Sequence, residues 1–285
     1  MPSRESFKER NVLTDILVYF SHAAVIVFGA LTLLWALSVA VKDASLVDIF
    51  WGFGFLLVGA TCLYILPEKP DYLKLLAALP IIWGIRLTLY LAKRNLGHGE
   101  DKRYIAMRKR AEKKGIGETS WRLRSLFTIY WGQGLLIMIV SAPVWFAMAT
   151  GQAIQTLGIL AYLGTALWLI GFLFEAIGDW QLATFLKANK NYDGPIENKP
   201  VLDTGLWKYT RHPNYFGNAC MWWGIWVVAC QAPFGWTTII APIIMTLLLT
   251  KVSGRDLLER DMKRRKTYQD YITRTSSFIP LPPKG

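Results

Sequence analysis

Hydrophobic positions gather into seven runs, at residues 16–41, 49–66, 73–92, 126–149, 154–174, 215–230 and 236–250. Runs of about 20 apolar residues match the length of a helix crossing a bilayer, and a soluble domain of this size rarely sustains so many. The second and sixth runs are short. The helical pattern of the fifth continues past Glu175 towards Lys187. The first run is too long for a signal-peptide core and no small-residue cleavage site follows it, so it is expected to stay in the mature chain.

Polar segments divide these runs. Residues 93–125 form a basic connection, with one helix expected over 103–114 and a stop at Gly115-Ile-Gly117. After Gly254 a charged tail is expected to run helically over 255–271 and to end near Ile279-Pro-Leu-Pro-Pro283. The pattern predicts an all-α, polytopic membrane protein of about seven transmembrane helices in a single integral membrane domain. Its parts are a front three-helix half (1–92) on the substrate side, the basic connection (93–125), and a cofactor-binding half with its tail (126–285).

Charge then sets the orientation. The net charge is +12 over 285 residues. Residues 93–124 carry 11 Lys/Arg, residues 187–212 carry 5 and the tail from Lys251 carries 9. Threading seven spans puts all three segments on one side, and positive loops stay cytoplasmic. The C-terminus is therefore expected inside and the N-terminus outside, against the mild objection of Arg4, Lys8 and Arg10. The same distribution accounts for the basic balance without nucleic acid as a partner. Three cysteines, Cys62, Cys220 and Cys230, show no paired spacing, which argues against disulfides, zinc or another metal.

Ionisable groups inside a span are costly and mark candidate sites. Asp48 opens the second run, where a helix cap is the plain alternative. Arg86 lies inside the third, close enough to the end to snorkel, with Tyr90 one turn on. Glu175 and Asp179 share a face of the fifth, four residues apart. Two carboxylates so close need donors between them, from a ligand or from basic neighbours. The segment Arg211-His-Pro-Asn-Tyr-Phe-Gly217 places Arg211, His212, Asn214 and Tyr215 at the start of an apolar helix, where free N–H groups and a partial positive charge favour an anionic cofactor. The run Gly52-Phe-Gly54 with Gly59 has the wrong spacing for a dinucleotide-binding loop.

Ser45-Leu-Val-Asp-Ile-Phe-Trp-Gly52, Glu100-Asp-Lys-Arg-Tyr104, the 211–217 segment and Tyr268-Gln-Asp-Tyr-Ile-Thr-Arg-Thr-Ser-Ser-Phe-Ile-Pro280 together resemble the bacterial branch of the steroid 5α-reductase superfamily. That resemblance covers most of residues 45–283. It implies a multi-pass protein of the bacterial inner membrane that takes NADPH from the cytoplasmic side. It further implies an oxidoreductase that delivers hydride to a conjugated enone in a lipophilic, lipid-like substrate. Carried over by position, Asp179 and Asn214 resemble the family's cofactor ligands, and Arg86 and Tyr90 its third-helix pair. The expected cofactor set is Arg86, Arg103, Tyr104, Glu175, Asp179, Arg211, His212, Asn214, Tyr215 and Arg260. Asp48, Trp83 and Tyr90 are the expected catalytic residues.

The chain departs from the pattern at three positions. The nearest second-helix acid is Asp48 rather than glutamate, Trp83 stands at the third-helix tyrosine position, and Asn218 replaces an acid four places after Asn214. An indole N–H can hold an oxyanion but cannot deliver a proton as a phenol does, so steroid specificity does not carry over. The 211–217 segment is also similar to isoprenylcysteine carboxyl methyltransferases, in which reading Glu259, Arg260 and His212 would serve S-adenosylmethionine. A non-enzymatic transporter or scaffold is the third alternative, though the chain shows no inverted repeat.

Overall fold

The computed structural model describes residues 11–284 except Ser253 and Arg264, with the side chains of Leu257, Arg260 and Asp261 also left out. Among the described residues every regular element is a helix. Also among the described residues, six helices are long and apolar enough to cross a membrane. The chain forms two compact units, one of residues up to Ala161 with Ala229–Thr238, the other of Tyr162–Val228 with the residues from Ile239 on.

In the first unit, α1 (Val12–Val41) starts on Asn11, whose side chain accepts the Leu13 N–H at 3.1 Å, and ends at Lys42 in the left-handed region. It buries one stripe, Tyr19, Ala23, Val27 and Leu31, at four-residue spacing. Most of its remaining surface is apolar, with Val25 70% and Leu33 75% exposed. A helix that turns apolar residues outward in this way is built for lipid rather than water.

The next two helices, α2 (Leu46–Ile65) and α3 (Asp71–Asn95), form an antiparallel pair. A Cβ on Gly52 would lie 2.6 Å from the Gly84 carbonyl oxygen, and one on Gly59 would lie 3.0 Å from that of Ala77. Small residues seven apart on each helix fall on one face two turns apart, and let the backbones meet. Pro80 sits inside α3 without ending it, as spanning helices tolerate.

The basic connection contains α4 (Lys102–Lys113), capped by Asp101, whose carboxylate accepts the Arg103 N–H at 2.8 Å. After Gly115, at φ +74°, α5 (Glu118–Ser125) opens a span that runs to Val140 through a wider turn at Leu126–Trp131 and α6 (Gly132–Val140). The single expected run over 126–149 is therefore two pieces. Pro143 has no N–H to donate and crowds the preceding turn. The chain leaves the helix at Ser141, whose carbonyl caps both Val144 and Trp145, and resumes as α7 (Ala142–Thr150).

The second unit holds most of α8 (Ile159–Ala188), α9 (Pro213–Ala229), α10 (Ile240–Leu247) and the tail helices α11 (Arg255–Met262) and α12 (Lys266–Arg274). The continuation of the fifth span to about residue 187 is observed. The expected sixth span is a helix of 17 residues, about 25 Å by helical rise, shorter than the ~30 Å apolar layer. The tail is two helices rather than one, broken between Met262 and Lys266.

Helices α8 and α9 also pack antiparallel through small residues: Gly164 faces Gly224, Gly171 faces Gly217, and Gly178 faces Asn214. The tail folds back along the segment before α9. Thr210 pairs with Ser276 as an isolated bridge, Arg211 N donates to Ser276 O at 2.9 Å, and Leu281 N donates to Tyr209 O at 3.0 Å. The Tyr271 hydroxyl donates to the Trp207 carbonyl.

Candidate functional site

The glycine-lined approach of α8 and α9 brings four polar side chains together in the second unit. Asn214 Nδ2 donates to Asp179 Oδ1 at 3.0 Å, and Asn218 Nδ2 donates to Glu175 Oε2 at 3.1 Å. The two acids are one turn apart on α8 and the two amides one turn apart on α9. Antiparallel packing puts each amide beside one acid. Glu175 and Asp179 are only 3% and 5% exposed. Hydrogen bonds to charged groups contribute about 1.5–3 kcal/mol each, and an uncompensated buried carboxylate would cost more. Asn218 supplies a donor to Glu175 that a third carboxylate at that position could not. Its Oδ1 is buried without a hydrogen-bond partner.

One step before α9 lies a second buried cluster. Pro213 takes the first helical position, which its fixed φ suits, and the His212 carbonyl accepts the Phe216 N–H at 3.0 Å. Arg211 Nε donates to Glu259 Oε1 at 2.9 Å and Nη2 to Oε2 at 3.3 Å, while Nη1 donates to the carbonyls of Thr275 and Ile272. His212 Nε2 stands 3.0 Å from Glu259 Oε1, and its ring stacks on Tyr215 at 5.4 Å. Tyr268 lies close to Glu259 and Arg211, its hydroxyl closing no hydrogen bond to either.

Burial pushes the Glu259 carboxyl up, but the hydrogen bonds from His212 and Arg211 and the charge of the Arg211 guanidinium outweigh it and hold the pKa at about 2. Burial lowers the His212 imidazole against the pull of Glu259. A neutral His212 carrying its proton on Nε2 therefore donates to an ionised Glu259. The Arg211 guanidinium is engaged by the tail within the protein.

A third cluster lies in the first unit, where the two motifs read at 45–52 and 100–104 meet. Asp48 accepts from Arg103 Nη2 at 2.6 Å and from the Tyr104 hydroxyl at 2.7 Å. Glu100 accepts the Ala44 N–H at 2.9 Å and Arg108 Nη2 at 2.9 Å. Burial raises the Tyr104 hydroxyl, and the Asp48 charge adds to it. Asp48 is not the cap of α2, whose N-cap is Ser45.

The candidate residues thus fall into separate groups. Glu175, Asp179, Arg211, His212, Asn214 and Tyr215 belong to the second unit, and Asp48, Trp83, Arg86, Tyr90, Arg103 and Tyr104 to the first. Trp83 is buried against Phe55, with ring centroids 5.3 Å apart, and the Arg86 guanidinium lies 5.7 Å from the Tyr90 ring centre. The side chain of Arg260 lies outside the described residues.

Sequence reasoning passed over the pairing of Asn218 with Glu175, which the matching four-residue spacings 175/179 and 214/218 carry as a signal. Gln181, uncharged and one helix face away from the two acids, gave no signal either; its Oε1 accepts the Leu206 N–H at 3.1 Å and seats the loop entering α9.

Fold and site together define a polytopic helical membrane protein with buried acid–amide pairs in its second unit and a folded-back tail. The chain belongs to the family described as "Protein of unknown function (DUF1295)", whose model matches residues 34–275. It is also similar to "Uncharacterized protein C594.04c" of Schizosaccharomyces pombe, at 26% identity over 273 residues, covering 87% of this chain and 75% of that protein. No solved structure matches it.

Proposed function

We propose that this protein is a membrane-embedded, NADPH-dependent reductase of a conjugated enone in a lipid-like substrate, as its resemblance to the steroid 5α-reductases implies. The observation that supports this most directly is the double acid–amide contact between α8 and α9. Alternating carboxylate acceptors and amide donors suit the hydroxyls and carboxamide of a dinucleotide. The unpartnered Asn218 Oδ1 adds an acceptor for one more N–H or O–H donor.

Bound NADPH would supply the hydride. In this reading Glu175, Asp179, Asn214 and Asn218 bind and orient the cofactor, while the His212–Tyr215 stack offers a flat aromatic face. Arg211, with its donors engaged by Glu259 and two carbonyls, holds the tail against the start of α9 instead of meeting phosphate. Asp48, Trp83 and Tyr90 keep the roles the resemblance gives them; Arg103 and Tyr104, expected at the cofactor, instead hold the Asp48 carboxylate in this reading, and Arg86 stays beside Tyr90. The charge asymmetry of the loops favours a cytoplasmic C-terminus in a bacterial inner membrane.

One observation favours a second reading. The contact between His212 and Glu259 joins the 211–217 segment to a tail glutamate, as a methyltransferase of the isoprenylcysteine carboxyl type would require. Titrating NADPH and S-adenosylmethionine separately against thermal stability of the detergent-purified protein separates the two. A hundredfold excess over Kd adds about 2.7 kcal/mol. Asp179→Ala is expected to weaken NADPH binding by roughly tenfold to a hundredfold, the worth of one charged hydrogen bond. Stabilisation by S-adenosylmethionine alone, or undiminished NADPH binding in Asp179→Ala, would overturn the reductase reading.

A further inference from the structure

The end of α1, the middle of α4 and the start of α5 enclose a small notch in the first unit. Lys42, Arg108 and Arg122 line it, with Glu118 the one carboxylate and Trp121 beside them. Its volume of about 20 Å³ admits roughly one water-sized group, while its open mouth leaves room outside for a larger body.

Two of the cations are held by neighbouring acids without being used up. Arg122 Nε donates to Glu118 at 2.8 Å, and Arg108 gives Nη2 to Glu100 at 2.9 Å. Arg108 Nε remains buried with no acceptor. A buried donor of a cation without a partner is rare and asks for an anionic oxygen.

The notch also has a defined level. Lys42 directly follows the spanning helix Val12–Val41, and Arg122 lies in the first turns of the span Glu118–Val140. Both therefore stand where the chain leaves the apolar layer, the depth of lipid headgroups. Lys102, Lys109, Arg110 and Lys113 of α4 are exposed nearby in the chain, together with Ile105 and Met107. Such a basic face draws anionic lipid towards the surface.

We propose that this notch binds the phosphate of an anionic lipid headgroup, one non-bridging oxygen accepting from Arg108 Nε, with Lys42 and Arg122 supplying the balancing charge. Free phosphate shares that chemistry. The lipid is preferred because the notch opens at the ends of two spans, where the glycerol and acyl chains can continue along apolar helix surface.

Native mass spectrometry of the detergent-purified full chain, with phosphatidylglycerol, phosphatidylcholine or inorganic phosphate added, tests this. The wild type is expected to retain one phosphatidylglycerol and to be stabilised by it, and not by phosphatidylcholine or phosphate. Lys42→Gln with Arg122→Gln removes two exposed or half-exposed cations without touching the Arg108–Glu100 pair. It should weaken retention about fivefold for each charge removed. Arg108→Lys keeps the charge beside Glu100 but loses the Nε donor, and should also weaken it. Equal retention of the two lipids, wild-type retention in the double variant or in Arg108→Lys, or stabilisation by phosphate matching that by phosphatidylglycerol would each overturn the proposal.

Discussion

Replacing Gly171 with alanine tests whether the approach of α8 and α9 builds the acid–amide pairs. A Cβ there would press on the Gly217 carbonyl oxygen and lie 2.8 Å from the Met221 nitrogen. Ordinary contact begins near 3.4 Å, 0.6 Å farther than that. These obstacles are backbone and cannot rotate aside, so the helices must part. Overpacking of this kind costs about 1–3 kcal/mol, and rigid backbone on both sides puts Gly171→Ala near 3 kcal/mol. At roughly 2–4 °C per kcal/mol, melting should fall by roughly 6–12 °C. The Asn218–Glu175 contact lies one turn away at 3.1 Å. Widening by a comparable amount takes it beyond hydrogen-bonding distance, so any stabilisation by NADPH should shrink as well. Gly29→Ala is the matched control, since nothing lies within 4 Å of a Cβ there, and it should be neutral or stabilise by up to about 1 kcal/mol. Tryptophan-fluorescence melts in detergent, with and without NADPH, read both effects. If Gly171→Ala melts with the wild type and the Gly29→Ala control, the close approach is not what holds this unit together.

Two further perturbations address the other clusters. Glu259→Gln leaves the Arg211 guanidinium buried beside a neutral amide and should cost about 3–5 kcal/mol. Because Glu259 is held at about 2, below its ordinary 4.5, its contribution is complete above pH 4.5 and is lost as pH falls towards 2. His212, held below its ordinary 6.5, contributes above pH 6.5 and loses that contribution on acidification. Wild-type melting should therefore decline in two stages as pH falls, and Glu259→Gln should lack the lower one; the same acid profile in both would contradict the pairing. Asp48→Asn removes the charge that Arg103 and Tyr104 share. With Arg103 half-exposed, the loss should be about 1 kcal/mol. Hydrogen exchange over 102–113 should quicken while 71–95 is unchanged, and unaltered protection of 102–113 would rule out the tether.

Much of the fold was legible because lipid-facing helices keep apolar residues on their outer faces, so α1, α2, α3 and α8 stand out as runs. The break at Ser141 was harder to read, since Pro143 is as apolar as its neighbours and acts through a missing N–H. The shortness of α9 was already legible in the short apolar run at 215–230. Glu175 and Asp179 were legible by contrast, as acids among apolar residues. Asn218 was not, because a lone amide carries no charge to mark it. Its meaning appears only when its spacing from Asn214 is laid against that of the two acids. Glycines at 164, 171 and 178, and at 217 and 224, repeat every seven residues, and that period alone could have paired α8 with α9. Glu259 was singled out beside His212 only through the methyltransferase resemblance; its own charge gave no contrast in a tail crowded with charges, and its pairing with Arg211 depends on the chain folding back across 48 residues.

That separation has a consequence in time. Arg211 leaves the ribosome 48 residues ahead of Glu259. At about 5–20 residues per second, translation leaves the guanidinium without its carboxylate for several seconds while α9 and the last apolar stretch emerge. A lone cation cannot be buried in that interval, so the start of α9 must wait in water until the tail arrives. The Arg211–Glu259 clasp is then among the last contacts to close during biogenesis. A chain whose tail is delayed would present an inserted helix pair with its entrance still open.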